Sequence, residues 1–534
     1  MRIGVFICHC GSNIGGTVDC AKVAETASHY PDVAYVDDPM YTCAEPGQAA
    51  IEEAIKKERL DGVVVASCTP RMHEPTFRKT VERAGLNPYM FEMANIREHV
   101  SWIGKDKEAN TNKAAELVLM AVEKLRHNRP LVPKSFDITK KVLIIGGGVA
   151  GIQAALDCAE GGVPVILVER EATIGGKMAK LDKTFPTVDC SACILGPKMV
   201  DVAQHPLITL YAYSEVEDIS GYVGNFNVKI RKKTPYVDWS KCTGCGACTE
   251  KCPSKNTPDS FNELMGKTTA ITIAFPQAIP KKAVINAPYC RKLQSGKCGV
   301  CAKICPTGAI NYTMEDEIIS EDVGSIIAAT GYDLVDWSVY EEYGGGKYPD
   351  VITALAYERL LNASGPTGGH IKRPSDGKEP KNIVFIQCVG SRDRSIGRPY
   401  CSAFCCMYTA KQAVLTKDHL PDSQSHIFYM DIRAAGKLYD EFTMRAMEEY
   451  GTNYIRGRVS AVYPDGNGQY VVMGADTLLG EPIEIKADLV VLSVGIEASA
   501  GAPALAEKLR LSYDSYGFFM ESHVKLKPVE TNTA

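Results

Sequence analysis

Val142-Leu-Ile-Ile-Gly146-Gly-Gly148-Val-Ala-Gly151-Ile-Gln-Ala-Ala-Leu156 reads as a β-strand, a glycine turn and the start of a helix. Gly146 suits the tight turn, Gly148 leaves backbone N–H groups free to approach a pyrophosphate, and Gly151 lets helix and strand pack closely. The helix N-terminus adds partial positive charge where phosphates would sit. A second strand, Val165–Val168, ends at Glu169, about where the ribose-binding acid of such a βαβ unit belongs. A glycine triplet alone would say little. The complete strand, turn, helix and acid point to a dinucleotide site rather than a nucleotide-free scaffold.

Ser325-Ile-Ile-Ala-Ala-Thr330-Gly331-Tyr is a further strand, ending in the Ala-Thr-Gly turn of two-dinucleotide flavoproteins. FAD is therefore the expected ligand. The expected cofactor-binding residues are Gly146, Gly148, Gly151, Glu169, Gly176, Lys177, Thr330 and Gly331. Such flavoproteins repeat the glycine fingerprint in a second domain. In this chain the matching strand, Asn382-Ile-Val-Phe-Ile-Gln-Cys388, is followed by no G-x-G-x-x-G. A cysteine stands where an NAD loop would begin, so direct NAD(P)H binding is not expected.

Cysteine is the compositional outlier, at 20 of 534 residues. The opening MRIGVFICHCGSN reads as a strand and loop, not a signal peptide. A cytoplasmic location follows as the expectation, and with it metal binding in place of a disulfide framework. Cys242-Thr-Gly-Cys245-Gly-Ala-Cys248-Thr-Glu-Lys-Cys252-Pro is a complete C-x₂-C-x₂-C-x₃-C-P run, and in two-cluster ferredoxins its last cysteine ligates the other cluster. The partner run is Cys290, then Cys298-Gly-Val-Cys301-Ala-Lys-Ile-Cys305-Pro, with seven residues where two are usual. Crossing gives Cys242, Cys245, Cys248 and Cys305 to one [4Fe–4S] cluster and Cys290, Cys298, Cys301 and Cys252 to the other.

Cys388, Cys401, Cys405 and Cys406 form a third expected cluster set, against the plain reading of scattered core thiols. Cys8, Cys10, Cys43 and Cys68 each lie near the end of an apparent strand, and strand ends converge on one edge of an open α/β sheet. They make a fourth set, for which Cys20 is a substitute. Cys158 is left over. Cys190-Ser-Ala-Cys193 fits either a dithiol switch or a pair of extra cluster ligands.

Length suggests three or four domains at ~150 residues each. The apolar share of 45% and charged share of 23% are those of an ordinary globular protein. A net charge of -5 offers no basic field for nucleic acid, and no apolar run reaches the ~18–20 residues of a membrane span. An α/β unit over 1–133 is read from strands Ile3–Cys8, Val33–Val36 and Gly62–Ala66 and helices Gln48–Arg59, Thr76–Gly85 and Thr111–Arg126. Two prolines after His127 mark a linker. A FAD-binding domain is expected over 140–233 and 315–375, interrupted by an α+β ferredoxin insert over 234–314. A second domain spans 376–487, and 488–534 returns to the first.

These motifs resemble the HdrA family, the flavin-containing subunit of heterodisulfide reductase. The resemblance runs through Ile7-Cys-His-Cys-Gly-Ser-Asn-Ile, Ala66-Ser-Cys-Thr-Pro-Arg-Met-His-Glu-Pro-Thr-Phe, Thr184-Phe-Pro-Thr-Val-Asp-Cys-Ser-Ala-Cys-Ile-Leu, the insert and Cys388–Cys406. It implies a Rossmann-like N-terminal α/β domain with its own cluster, a thioredoxin-reductase-like domain pair, and an inserted two-cluster ferredoxin. It implies electron transfer in a larger, oligomeric complex, with electron bifurcation at the flavin. The implied partners are the other reductase subunits, ferredoxin and a hydrogenase- or dehydrogenase-type donor. A non-bifurcating flavin relay and a flavin-free polyferredoxin scaffold are the alternatives. Lys411, five residues after Cys406, is by itself a solvated lysine on a helix. The resemblance places this segment against the flavin and makes Lys411 a flavin-tuning candidate. Family members close the FAD site with a last strand and often add a C-terminal ferredoxin. This sequence stops before either, so a fragment, or a separate polypeptide supplying the rest, is expected.

Overall fold

Four parallel strands build the N-terminal sheet in the order Val33–Asp37, Ile3–Ile7, Gly62–Ser67, Phe91–Asn95. Every residue of Ile3–Ile7 and Gly62–Ser67 is buried, as in a parallel sheet covered on both faces. Helices Cys20–Ser28 and Lys107–Arg126 cover one face and Glu45–Glu58 and Pro70–Arg83 the other. Three helices start earlier than the sequence suggests, for local reasons. Asp106 caps the long one by accepting the Ala109 N–H at 2.8 Å, while Pro46 and Pro70 occupy first turns, where a missing N–H costs nothing.

The computed structural model describes residues 1–532, in two units: Met1–Phe136 with Met520–Asn532, and Asp137–Phe519. Among the described residues no helix is long and apolar enough to cross a membrane. In the larger unit, strands Ser325–Ala328, Val142–Ile145, Val165–Glu169 and Ile208–Ala212 form a parallel sheet in that order. Side chains alternate across it. Leu143 and Ile145 pack with Val228, Ile230 and Val323 of an antiparallel layer (Ser214–Tyr222, Asn225–Lys232, Glu317–Val323), while Ile144 packs with Ile152, Leu195 and Met199 of two helices. Each such aliphatic side chain contributes about 1.5–3 kcal/mol by leaving water.

The cysteine-rich insert leaves and rejoins this layer at one place. Lys232 pairs with Glu317 across neighbouring antiparallel strands, so the intervening residues form a loop whose ends meet. That geometry lets a small module be inserted without disturbing the sheet.

A second sheet repeats the plan. Leu489–Val494, Asn382–Val389, Gln424–Tyr429 and Asn453–Arg456 are parallel in that order, with an antiparallel trio (Val459–Pro464, Tyr470–Asp476, Glu481–Ala487) before the last-in-sequence strand, and Val351–Thr353 added at the edge. Three expected limits therefore move. Val351–Thr353 joins this sheet although it precedes 376, and Leu489–Val494 joins it although it follows 488, because each pairs with its strands and not with the first sheet. The return to the first domain starts at Ile496–Ala498, which pairs with Tyr332–Leu334, and continues in helix Ala502–Leu509, whose Leu505 packs beneath Leu143 and Ile166. Met520–Asn532, expected with the FAD domain, belongs to the N-terminal unit, where Arg71 donates to the Ser522 carbonyl at 3.4 Å.

Candidate functional site

The glycine turn is built as its residue types require. Gly146 has φ +109°, and a Cβ there would lie 2.3 Å from the Ala329 carbonyl oxygen, so no other residue allows the two strand ends to close together. A Cβ on Gly151 would lie 1.9 Å from the Gly146 oxygen. Gly148 differs: it is the N-cap of helix Val149–Glu160, and a Cβ would meet nothing within 4 Å. The space in front of the helix N-terminus is open, which is what an approaching pyrophosphate needs.

The remaining expected residues surround this turn. Glu169 accepts the Gly147 N–H at 2.6 Å and the Glu171 N–H at 2.7 Å, and burial pushes its carboxyl up. Gly176 abuts the Gly148 Cα, and the Gly175 N–H bonds the Gly147 carbonyl at 2.7 Å. Lys177 donates to the Tyr332 carbonyl, lies 3.5 Å from Asp333 and sits over the Tyr332 ring; burial pulls its pKa down. Thr330 lies beside Gly146, and Gly331 follows in a left-handed turn. All eight gather at the carboxyl edge of one parallel sheet, the edge where open α/β sheets bind ligands. A helix N-terminus, an open glycine and a nearby lysine suit a dinucleotide phosphate.

In the insert, two cavities are each lined by three cysteines of one run and one of the other. One is lined by Cys252, Cys290, Cys298 and Cys301. The other is lined by Cys242, Cys245, Cys248 and Cys305. This is the crossed pattern. The wide gap after Cys290 folds into one helical turn, Arg291–Ser295, capped by Cys290 itself, so the extra residues loop out and return. Among the described residues, no three His, Cys, Asp or Glu side chains are close enough to hold a single ion. Four thiolates on one zinc would stand about 3.8 Å apart, given Zn–S bonds of ~2.3 Å, whereas a cubane spreads its ligands over four iron corners. Cys305 also accepts the Ala309 N–H at 3.3 Å, the kind of bond that shifts a cluster's potential.

Cys388 is the last residue but one of its strand, at φ +60° and within a register shift, while Cys405 and Cys406 open helix Cys405–His419. This is the place the glycine turn holds in the first sheet. Hydrogen bonding from Cys405 pulls the Cys388 thiol down and the Cys406 thiol down to about 7, and pushes Cys405 itself up. The segment bearing Cys401 is tied to the Cys388 turn where the Ser402 N–H meets Ser391 Oγ at 3.0 Å. Arg392, held by Asp431 at 2.5 Å, stands close enough to Cys388 and Cys401 to feel both charges. Nothing in the sequence marked Arg392 for this position.

In the N-terminal unit, Cys8 and Cys68 follow the two central strands, flanking the point where strand order reverses. Cys43 lies within electrostatic reach of Cys8 and Cys10, and Cys68 of Cys10 and Cys43; burial raises the Cys43 thiol and pushes Cys68 up to about 11. Arg97, unmarked in the sequence, donates to Cys10 Sγ at 3.4 Å. Cys20 is packed in the core with Ile7 and Ile14, within electrostatic reach of Cys8, and burial pushes it up to about 12. Cys158 is half-buried on helix Val149–Glu160.

Lys411 is not a solvated lysine. It is buried, donates to the Lys183 carbonyl at 2.7 Å and pairs with Glu358 at 2.6 Å. Glu358 also takes the Asp182 N–H at 3.1 Å, while its neighbour Arg359 bonds the Lys180 carbonyl at 3.0 Å. The segment after Lys177 is thus clamped by the helix that begins at Cys405 and by helix Ala354–Leu361. Cys190 and Cys193, whose role the sequence left open, are joined as a disulfide.

Comparison with known proteins follows the same lines. A FAD dependent oxidoreductase model matches residues 141–186, and a 4Fe-4S binding domain model matches residues 235–255. The HdrA chain of the H(2):CoB-CoM heterodisulfide,ferredoxin reductase of Methanothermobacter marburgensis is 50% identical over 533 residues, 100% of this chain and 80% of that protein. An HdrA chain of Methanopyrus kandleri, an iron-sulfur subunit of its CoB--CoM heterodisulfide reductase, is 53% identical over 532 residues, 99% of this chain and 80% of its own length. The HdrA chain of the H(2)/formate:CoB-CoM heterodisulfide,ferredoxin reductase of Methanococcus maripaludis is 47% identical, again over 99% and 80%.

Proposed function

Since the chain belongs to the HdrA family of heterodisulfide reductase subunits, we propose that this oxidoreductase subunit is the flavin- and iron–sulfur-binding electron-transfer element of a heterodisulfide reductase-type complex. It would draw on a hydrogenase- or dehydrogenase-type donor and serve ferredoxin and a disulfide-reducing partner, as the names of its relatives suggest. Bound FAD would supply the exchange between two-electron and one-electron transfer, and the clusters the one-electron carriers.

The chain's own residues have distinct tasks in this reading. Gly148 and the N-terminus of helix Val149–Glu160 receive the pyrophosphate, and Glu169 the ribose. Thr330, Gly331, Gly176 and Lys177 complete the pocket wall. Lys411 acts on the flavin as a fixed positive charge, kept in place by Glu358. The four cysteine sets hold clusters, with Arg97 and Arg392 offsetting the negative charge of the thiolates around them.

The observation that carries the proposal is the crossed lining of the two insert cavities beside an intact glycine turn in the same unit. One-electron and two-electron carriers then have housing in one body. Anaerobic reductive titration of the purified chain tests it. Uptake of about six electrons, two for a flavin and one for each of four clusters, is expected. Uptake without any flavin band would make the chain a cluster scaffold. Bifurcation is the finer part: in the assembled complex, ferredoxin should be reduced only while a disulfide acceptor is reduced too. Ferredoxin reduction without that acceptor would mean a plain relay.

A further inference from the structure

The pair Cys190–Cys193 is outside all four cysteine sets, and its surroundings are those of a reactive disulfide. Cys190 is the N-cap of the 14-residue helix Ser191–Gln204, and its sulfur accepts the Cys193 N–H at 3.2 Å. Charge released on that sulfur would be met by a backbone donor and by the positive end of the helix. Cys193 is exposed, between exposed Ala192 and Ile194, whereas Cys190 is half-buried. The two sulfurs are therefore unequal: one can be reached, the other can carry charge.

The backbone holds this arrangement. Lys183 and Cys190 pair across a short hairpin, in which the Thr184 N–H bonds the Asp189 carbonyl at 2.9 Å. The Ser191 N–H bonds the Asp182 carbonyl at 3.0 Å, and Ser191 Oγ donates to the Met178 carbonyl at 2.8 Å. The same hairpin presents the Lys183 carbonyl to Lys411.

We propose that Cys190 and Cys193 form a thiol–disulfide exchange site for a small dithiol. A thiolate of the dithiol attacks Cys193 Sγ, the Cys190–Cys193 bond breaks, and Cys190 leaves as the thiolate stabilised at the helix N-terminus. The second thiolate of the dithiol then attacks its own sulfur in the mixed disulfide and releases Cys193. The dithiol is oxidised by two electrons to its cyclic disulfide, the protein pair is reduced by two, and the dithiol's two protons pass to the cysteine thiols. Attack is fastest with a thiol whose pKa is near the ambient pH.

The test uses the full-length protein, purified anaerobically with its cofactors and poised in mixtures of reduced and oxidised dithiothreitol. After alkylation, trypsin releases Thr184–Lys198, which contains these two cysteines and no other. Both thiols should appear together in one reversible step, following the first power of the dithiol/disulfide ratio, with iron and flavin unchanged. Cys190→Ser should leave Cys193 free to take up one glutathione from its disulfide, and Cys193→Ser should take up far less. A pair that stays unlabelled at every ratio, or that cannot be reoxidised, would overturn the proposal. So would loss of iron in either serine variant, which would make the cysteines cluster ligands. Flavin content is read separately, so failure here is distinguishable from failure of the electron-transfer reading.

Discussion

Lys411 Nζ lies 2.6 Å from Glu358 Oε1, with side chains 1% and 2% exposed. Glu358 takes further bonds from the Asp182 N–H and from Gln412 Nε2 at 2.6 Å, so its carboxylate is fully engaged. The pair joins the helix that opens at Cys405, helix Ala354–Leu361 and the segment that follows Lys177. Ion pairs this deep stand because both charges are satisfied, and they fail badly when one is removed.

Lys411→Met should therefore destabilise the larger unit by about 3–5 kcal/mol, leaving a buried carboxylate unpaired. Adding Glu358→Gln should restore most of the loss. Thermal unfolding of the single and double variants checks this. A single variant as stable as the parent would remove the pair's structural role.

The double variant also isolates the flavin-tuning role. It should keep flavin and iron yet show a shifted flavin reduction potential in an electrochemical titration, because the local field of the buried ammonium–carboxylate pair has gone. An unshifted potential would leave Lys411 with a structural task alone.

The glycine turn makes opposite predictions at neighbouring positions. Gly148→Val should fold normally, since its Cβ meets open space, but FAD affinity should fall at least about tenfold, or ~1.4 kcal/mol, as the side chain occupies the phosphate's approach. Gly146→Val should be destabilised whether or not FAD is present, its Cβ being forced against the Ala329 oxygen. Flavin content and thermal midpoint separate the two. Undiminished FAD in Gly148→Val would remove the turn from the cofactor site.

Cysteine substitutions should act set by set. Cys290→Ser should cost about four iron atoms from one insert cavity, and Cys406→Ser about four from elsewhere, with additive loss in the double variant. Iron analysis that shows non-additive loss would mean that the two residues share one cluster.

Much of this was legible from local patterns. The glycine turn, the spacings within each cysteine run and the strand that ends at Glu169 depend on residues within a few positions of each other. Cys290 is paired by the run pattern despite its wide gap, and the structure shows a single helical turn absorbing that gap. The Lys411–Glu358 pair could not be read, because its partners are 53 residues apart on two helices. Leu489–Val494 is misplaced by its sequence for a related reason: a buried run before a glycine looks the same in either sheet, and pairing with Val351–Thr353 and Asn382–Val389 is what decides. The disulfide's setting was also hidden, since Cys-Ser-Ala-Cys does not reveal which sulfur caps the helix.

Iron and flavin counted per chain in anaerobically purified protein decide most about this molecule. Four cysteine sets and one glycine turn predict about sixteen iron atoms and about one FAD. Iron near eight would confine the clusters to the insert and contradict the Cys388–Cys406 and N-terminal sets; no flavin would contradict the assignment of the turn.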